Sequence, residues 1–529
     1  MRISKTRGWP AVISASARHL VGAAAAAAVL VPALILSGPA SSAELKVGMR
    51  DFAAGRGNPY QGCVCSPAIF VWSAIYEQLA RVDRAGRAIP VLAESWEATG
   101  ADKTVWRIKL RPGIKFSNGE PLNAQAVKAT YDFLATDEGK TYSQSRTLGV
   151  FIAETRVVDE LTVEVVTPKP QPVFLKLATT QSIIPPKAFA DVGIEGFTNN
   201  PIGTGPYLVK FEGENATGTP YLGSWQKRAD VDSIKFFVLP EAPARTQALI
   251  SEQIDINVQL GPDEFEMVKG AGMDLFAAPS TRTMGLSFIS TRSGEPVTGP
   301  LADKRVRQAL NYAVDKQAII DNIFGGVGKP ASQAAVPNAF GYNSDIEPYP
   351  YDPDKARALL AEAGYGDGFE FEARGIVGDA NFRFSYEAAI QDLNKIGIKA
   401  TLIAQTFGGT DGWLEHWIKG DWPYQAFGFG NDLVGHLDGA LSFARHISCT
   451  KPAPYYCNPD EMPLLEKIYV EFDDDKREAM VREALRANAE NAPILFLVEF
   501  EETMGFNKKI TNFEHINMWI PYSELTVSN

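Results

Sequence analysis

Short runs of strand character alternate with capped helical stretches along nearly the whole chain, and this alternation restricts the fold more than any other property. Trp106-Arg107-Ile108-Lys109-Leu110 alternates apolar and polar residues, the period of a strand with one buried face. Arg111-Pro112-Gly113 turns the chain, and Asn123 can cap a helix carrying Val127, Tyr131 and Leu134 at helical spacing. Leu161 to Val166 and Ile234 to Leu239 are further strand-like runs. Asp303, Asp315 and Asp352-Pro353 each open a predicted helix, with Gly325-Gly326 and Gly364 as stops. A helix over Ala388 to Lys395 leads through Gly397 into a strand from Ile398 to Ala404. The last pair is a helix from Lys476 to Asn491 and a strand from Ile494 to Phe500. Helix and strand in this order imply α/β domains, with sheets covered by helices. At roughly 100–200 residues per domain, a chain of 529 residues holds two to four of them.

The N-terminus does not belong to that pattern. Residues 1–43 carry Arg2, Lys5, Arg7 and Arg18 and no acid, then an apolar stretch from Leu20 to Leu36 and a small-residue exit at Ser41-Ser42-Ala43. This is the form of a secretory signal peptide cleaved near Ala43. An uncleaved anchor is the competing reading, weakened by Pro32 inside the apolar run. No Cys lies near the cut, so no lipid anchor is expected. Removal turns a net charge of 51 − 63 = −12 into 47 − 63 = −16. A chain so acidic is not a nucleic-acid binder, which needs clustered positive charge. A soluble, monomeric, periplasmic protein is expected.

Cys63, Cys65, Cys449 and Cys457 suit an oxidising compartment. Sequence cannot choose among their pairings. A local Cys449–Cys457 bridge is favoured, while Cys63 and Cys65 could pair, stay reduced or face other parts of the chain. His416, His436, His446 and His515 complete no zinc spacing with them, so no metal and no cofactor is expected. The sequence also lacks a GxSxG elbow, an HExxH pair, a P-loop and a GxGxxG turn, which disfavours an enzyme. Glu501-Glu502 and Asp473-Asp474-Asp475 read as solvated surface.

Four stretches, in order, carry a resemblance. They are Leu92-Ala93-Glu94-Ser95-Trp96 with Leu110 through Ala124, Pro201 through Tyr207, Asp303 through Asp315, and Tyr351 through Gly364. Together they resemble the extracellular solute-binding proteins, family 5, of peptide and nickel ABC importers. The resemblance implies an α/β fold of the type II periplasmic-binding-protein kind in three domains. Domain I would comprise residues 44–76, 199–288 and 500–529, domain II residues 77–198 and domain III residues 289–499. A ligand would lie between domains I and III, and hinge closure would present it to ABC permease subunits. A di- or oligopeptide is the first expectation. An opine, a sugar conjugate or a nickel chelate is the alternative, with His436 or His446 nearest for nickel. A periplasmic peptide or ester hydrolase and a chaperone with an incidental cleft are the rivals from other classes.

The same resemblance nominates site residues. In dipeptide-binding relatives an Asp after a Gly-Trp-x-x segment holds the peptide ammonium. Gly428-Phe429-Gly430-Asn431-Asp432 matches it, which puts Asp432 on that carboxylate, Asn431 beside it and Phe429 in place of the Trp as a pocket wall. The relatives' following Asp-Pro is absent, and capping a turn is the other role open to Asp432. Arg374, or Arg383 instead, falls near the Arg that takes the peptide carboxylate, a task suited to its planar fork. Phe407, Trp413 and Trp417 could line an apolar pocket or belong to the core. Tyr60 and Cys63 fall where domain I approaches the ligand.

Overall fold

The computed structural model describes residues 43–61, 66–142, 145, 147–227, 230–376, 380–428, 436–446, 448–449 and 455–528. Glu44–Met49 lies at the heart of a mixed sheet of eleven strands. It runs parallel to Ser233–Val238 on one side and to Ile256–Asn257 on the other. Asn215–Pro220 and then Tyr207–Glu212 continue the sheet as antiparallel strands to one edge. Tyr207, Val209 and Phe211 enter the core while Leu208, Lys210 and Glu212 face out, the period-two pattern of a half-covered strand.

A separate four-stranded antiparallel sheet is built from Ala93–Thr99, Val105–Leu110, Thr162–Val166 and Glu154–Val157. The strand expected at Trp106 to Leu110 is its second member. Helix Ala124–Phe133 covers it, and the Asn123 side chain accepts the Ala126 N–H at 3.0 Å, the expected cap.

The far edge of the large sheet is formed by Ile398–Ala404, Phe369–Gly375 and Ala426–Gly428, all parallel. Helices Lys304–Ala313, Lys316–Ile323, Pro353–Glu362 and Ala380–Asn394 pack beside it around Leu310, Leu360 and Leu393. Asp303, Asp315 and Asp352 accept the N–H groups of Arg305, Ala318 and Lys355, so each anticipated aspartate is a cap. The helix expected from Ala388 starts earlier, at Ala380, and the one expected from Lys476 starts at Asp474, capped by Asp473.

Two long strands connect the ends of the large sheet. Asp274–Phe288 runs antiparallel to Ile494–Phe506, so the last strand extends six residues past its expected end at Phe500. Their register breaks midway: Pro279 pairs with Glu501 and Thr283 with Glu499, so one strand advances four residues while the other advances two. A bulge of this kind kinks a ladder locally. Cys449 and Cys457 are joined by a disulfide.

Candidate functional site

The register break borders a cavity of about 370 Å³ whose walls come from distant parts of the chain. Arg50, Ser66 and Arg245 line it from the side of Glu44–Met49, and Phe324, Asn381 and Phe382 from the side of Phe369–Gly375. Arg282, Phe500, Glu501 and Glu502 of the connecting strands form the wall between. Its size falls within the range of small-molecule pockets. Glu501 and Glu502, expected on the solvated surface, are half-buried, because the strand continues past them and both border the cavity. Glu502 Oε1 accepts the Ser280 hydroxyl at 3.0 Å.

The cavity's three guanidinium groups differ in their engagement. Arg245 donates to the carbonyls of Leu239, Pro240 and Gln259, and burial pulls it below its ordinary value. Arg50 donates to Asp51 at 3.3 Å. Arg282 lies 5.8 Å from the ring centres of both Phe382 and Phe500, and its buried Nε, like that of Arg245, has no partner among the described residues.

The bacterial extracellular solute-binding proteins, family 5 (Middle), match residues 87–446, more than half of the chain. The chain belongs to this family. The glutathione-binding protein GsiB of Pectobacterium atrosepticum is 29% identical over 467 residues, 84% of this chain and 86% of that one. The dipeptide-binding protein of Escherichia coli K12 is 28% identical over 442 residues, 77% and 80% of the two chains. Among solved structures, HbpA2 of Haemophilus parasuis superposes with a TM-score of 0.79 at 22% identity, over 92% of this chain and 100% of that one. The α/β, type II-like fold that the motifs implied is the fold of these proteins.

For a family 5 solute-binding protein, the placement of the nominated residues is uneven. Phe429, Asn431, Asp432, Cys63 and Cys65 lie outside the described residues. Arg374 does not line the cavity. Its Nε donates to Glu372 and its Nη1 to Asp411, each at 2.8 Å, and it lies 5.1 Å from the Tyr424 ring centre. Asp411 also faces His416 Nε2 at 2.9 Å, while His416 Nδ1 faces Asp421 at 2.7 Å. His416 and Arg374 draw Asp411 below the usual carboxylate range. Arg383 is exposed and lies 3.6 Å from Glu387.

Trp413 stacks between Phe407 and Trp417, at 5.2 and 5.1 Å. Trp413 is buried in a cluster with Trp422, Tyr424, Phe427 and Tyr455, and the Phe407 ring is exposed at its end. Tyr60 is core: its hydroxyl donates to the Thr130 carbonyl and its ring packs 4.6 Å from Phe133. His436 is buried, donating to the Lys176 carbonyl. The side chain of His446 lies outside the described residues.

Sequence reasoning missed Arg282, Phe382 and Phe500. One signal was available: Arg282 is the only charged residue between Pro279 and Arg292, where a buried strand should carry none.

Proposed function

We propose that the chain is the periplasmic receptor of an ABC importer, that it takes a di- or oligopeptide into the cavity beside the connecting strands, and that it performs no catalysis. The observation that carries this reading is a cavity walled from both ends of the large sheet and by the strands that join them. A ligand there touches both lobes only when they are closed, so binding shifts the equilibrium toward the closed form that a permease reads. The names of the glutathione- and dipeptide-binding relatives support a peptide.

The lobes are the three domains the motifs imply, hinged where the register breaks between Pro279 and Thr283. Residues 1–43 direct export and are removed, leaving a soluble monomer. Asp432 holds the ligand's ammonium group, as the Gly428-Phe429-Gly430-Asn431 context suggests.

Mass spectrometry of small molecules released on denaturing the purified protein tests the ligand class. A released peptide is expected; an opine, a phosphosugar or a metal chelate overturns the peptide reading. Asp432→Ala is expected to abolish peptide-dependent thermal stabilisation. Stabilisation that survives unchanged removes Asp432 from the site. Peptides recovered intact after prolonged incubation are expected, and cleavage products overturn the absence of catalysis.

A further inference from the structure

We infer that Arg282, not Arg374, is the receptor for a carboxylate carried by the ligand. This rests on the carrier reading above and adds to it the group that the ligand must bear. Arg374, the residue favoured by motif position, already has two carboxylate partners, Glu372 and Asp411, and lies outside the cavity. Of the guanidinium groups lining the cavity, Arg245 commits both terminal nitrogens to three backbone carbonyls, with its buried Nε left unbonded, and Arg50 is paired with Asp51. Among the described residues, Arg282 makes no ion pair and its Nε has no acceptor; Glu501 and Glu502 line the same cavity, and Glu502 accepts from Ser280 instead.

A cation with a buried, unbonded N–H carries a desolvation cost. The rings of Phe382 and Phe500, each 5.8 Å away, lie within cation–π reach of the guanidinium. Its two terminal nitrogens are left for a planar partner, and a carboxylate matches that pair with two parallel hydrogen bonds. The helix Ala380–Asn394 begins at the same cavity through Asn381 and Phe382, with no acid in its first turn, so its partial positive end favours the same charge.

Position adds a second consequence. Arg282 stands in the register break, opposite Phe500. A carboxylate bound there touches the connecting strands themselves as well as the lobes they join. Recognition of the charged group and the angle between the lobes therefore share one residue.

Calorimetric titration of the wild type, Arg282→Gln and Arg282→Lys with L-alanyl-L-leucine, glutathione and L-alanyl-L-leucine amide tests the assignment, with circular dichroism confirming the fold. The wild type should bind the free acid about 100-fold more tightly than the amide. Arg282→Gln should lose about 100-fold for the acid and nothing for the amide, and Arg282→Lys, which keeps charge without the fork, about 10-fold. Equal affinity of Arg282→Gln and wild type for the acid overturns the assignment, as does an equal loss for acid and amide. If the wild type binds none of these peptides, the peptide reading fails, and acetate and succinate decide about Arg282. Either anion should then shift the side-chain Nε–H NMR signal that disappears in Arg282→Gln; an unmoved signal overturns the inference.

Discussion

Lys176 Nζ lies 2.6 Å from Asp438 Oδ2, a contact between residues 262 positions apart in sequence and almost wholly buried on both sides. Arg477 completes the group, donating to both oxygens of Asp438 at 2.7 and 2.9 Å. Lys176 comes from the short helix Phe174–Ala178 beside the four-stranded sheet, whereas Arg477 lies on the long helix Asp474–Asn491. Both cations also sit over the Phe340 ring, Lys176 at 3.7 Å and Arg477 at 5.1 Å. The region of the four-stranded sheet is thus fastened to the later part of the chain by a dry ionic contact.

Removing the shared anion leaves two buried cations uncompensated. Asp438→Asn is expected to cost about 3–5 kcal/mol, and Lys176→Met less, because Arg477 still satisfies the carboxylate. Burial opposes ionisation of Asp438, but Arg477 and then Lys176 outweigh it and hold the carboxyl well below its usual range. Its contribution is therefore complete above the ordinary carboxylate pKa of 3.8 and is lost as pH falls through the lower folded value. Urea unfolding of the two variants at neutral pH checks the order. A Lys176→Met cost equal to that of Asp438→Asn contradicts it.

The caps at Asn123, Asp303, Asp315 and Asp352 were legible because a cap is local chemistry, one side-chain oxygen and an N–H two or three residues on. The extent of Ile494–Phe506 was not. Glu501 and Glu502 look like the end of a strand when the polar surroundings are assumed to be water, and here they border a cavity. The engagement of Arg374 could have been read, since Glu372 precedes it by two on one strand and period-two geometry puts both on one face. Arg282 could not have been placed, because its surroundings come from residues near 382 and 500 that only the fold brings together.

Glu499 gives the molecule a pH dependence of opposite sign to that of Asp438. It is buried on the strand Ile494–Phe506, and burial pushes its carboxyl up to about 7 from 4.5, against the opposing hydrogen bond from the Tyr342 hydroxyl. A folded value above the unfolded one means that its stabilisation is complete below pH 4.5 and is lost as pH rises toward 7. The loss over that window is about 3 kcal/mol. Glu499→Gln should flatten the stability profile between pH 5 and 7.5, measured by unfolding at a series of pH values. A variant profile as steep as the wild type's would assign the dependence elsewhere.

The Cys449–Cys457 disulfide closes a loop with a sequence separation of 8, and the Cys457 N–H donates to Ser290 Oγ at 2.7 Å. Chain-entropy arguments give a loop of this size about 2.5 kcal/mol. The double serine variant should lose that amount in denaturant unfolding, and a reductant should lower the wild type by about that amount more than it lowers the variant. A variant as stable as the oxidised wild type would show that the closure constrains nothing in the unfolded chain.

Gly86 offers a test of how closely the Ala80–Val82 and Ala88–Pro90 hairpin sits on the region of Phe340 and Leu437. The glycine has φ +70, and a Cβ placed on it would lie 2.3 Å from both the Leu437 carbonyl oxygen and the Phe340 nitrogen. Those two atoms are hydrogen-bonded to each other at 2.8 Å, so neither can yield without breaking that bond. Gly113 has a similar φ of +79 but nothing within 4 Å of the same position. Gly113→Ala should therefore cost only the left-handed backbone strain, about 1–2 kcal/mol. Gly86→Ala should cost at least about twice as much, since it adds the steric term and separates the hairpin from Phe340. Thermal unfolding of both variants reads the difference directly: equal losses mean that backbone strain alone accounts for Gly86 and that the hairpin is not held in close approach.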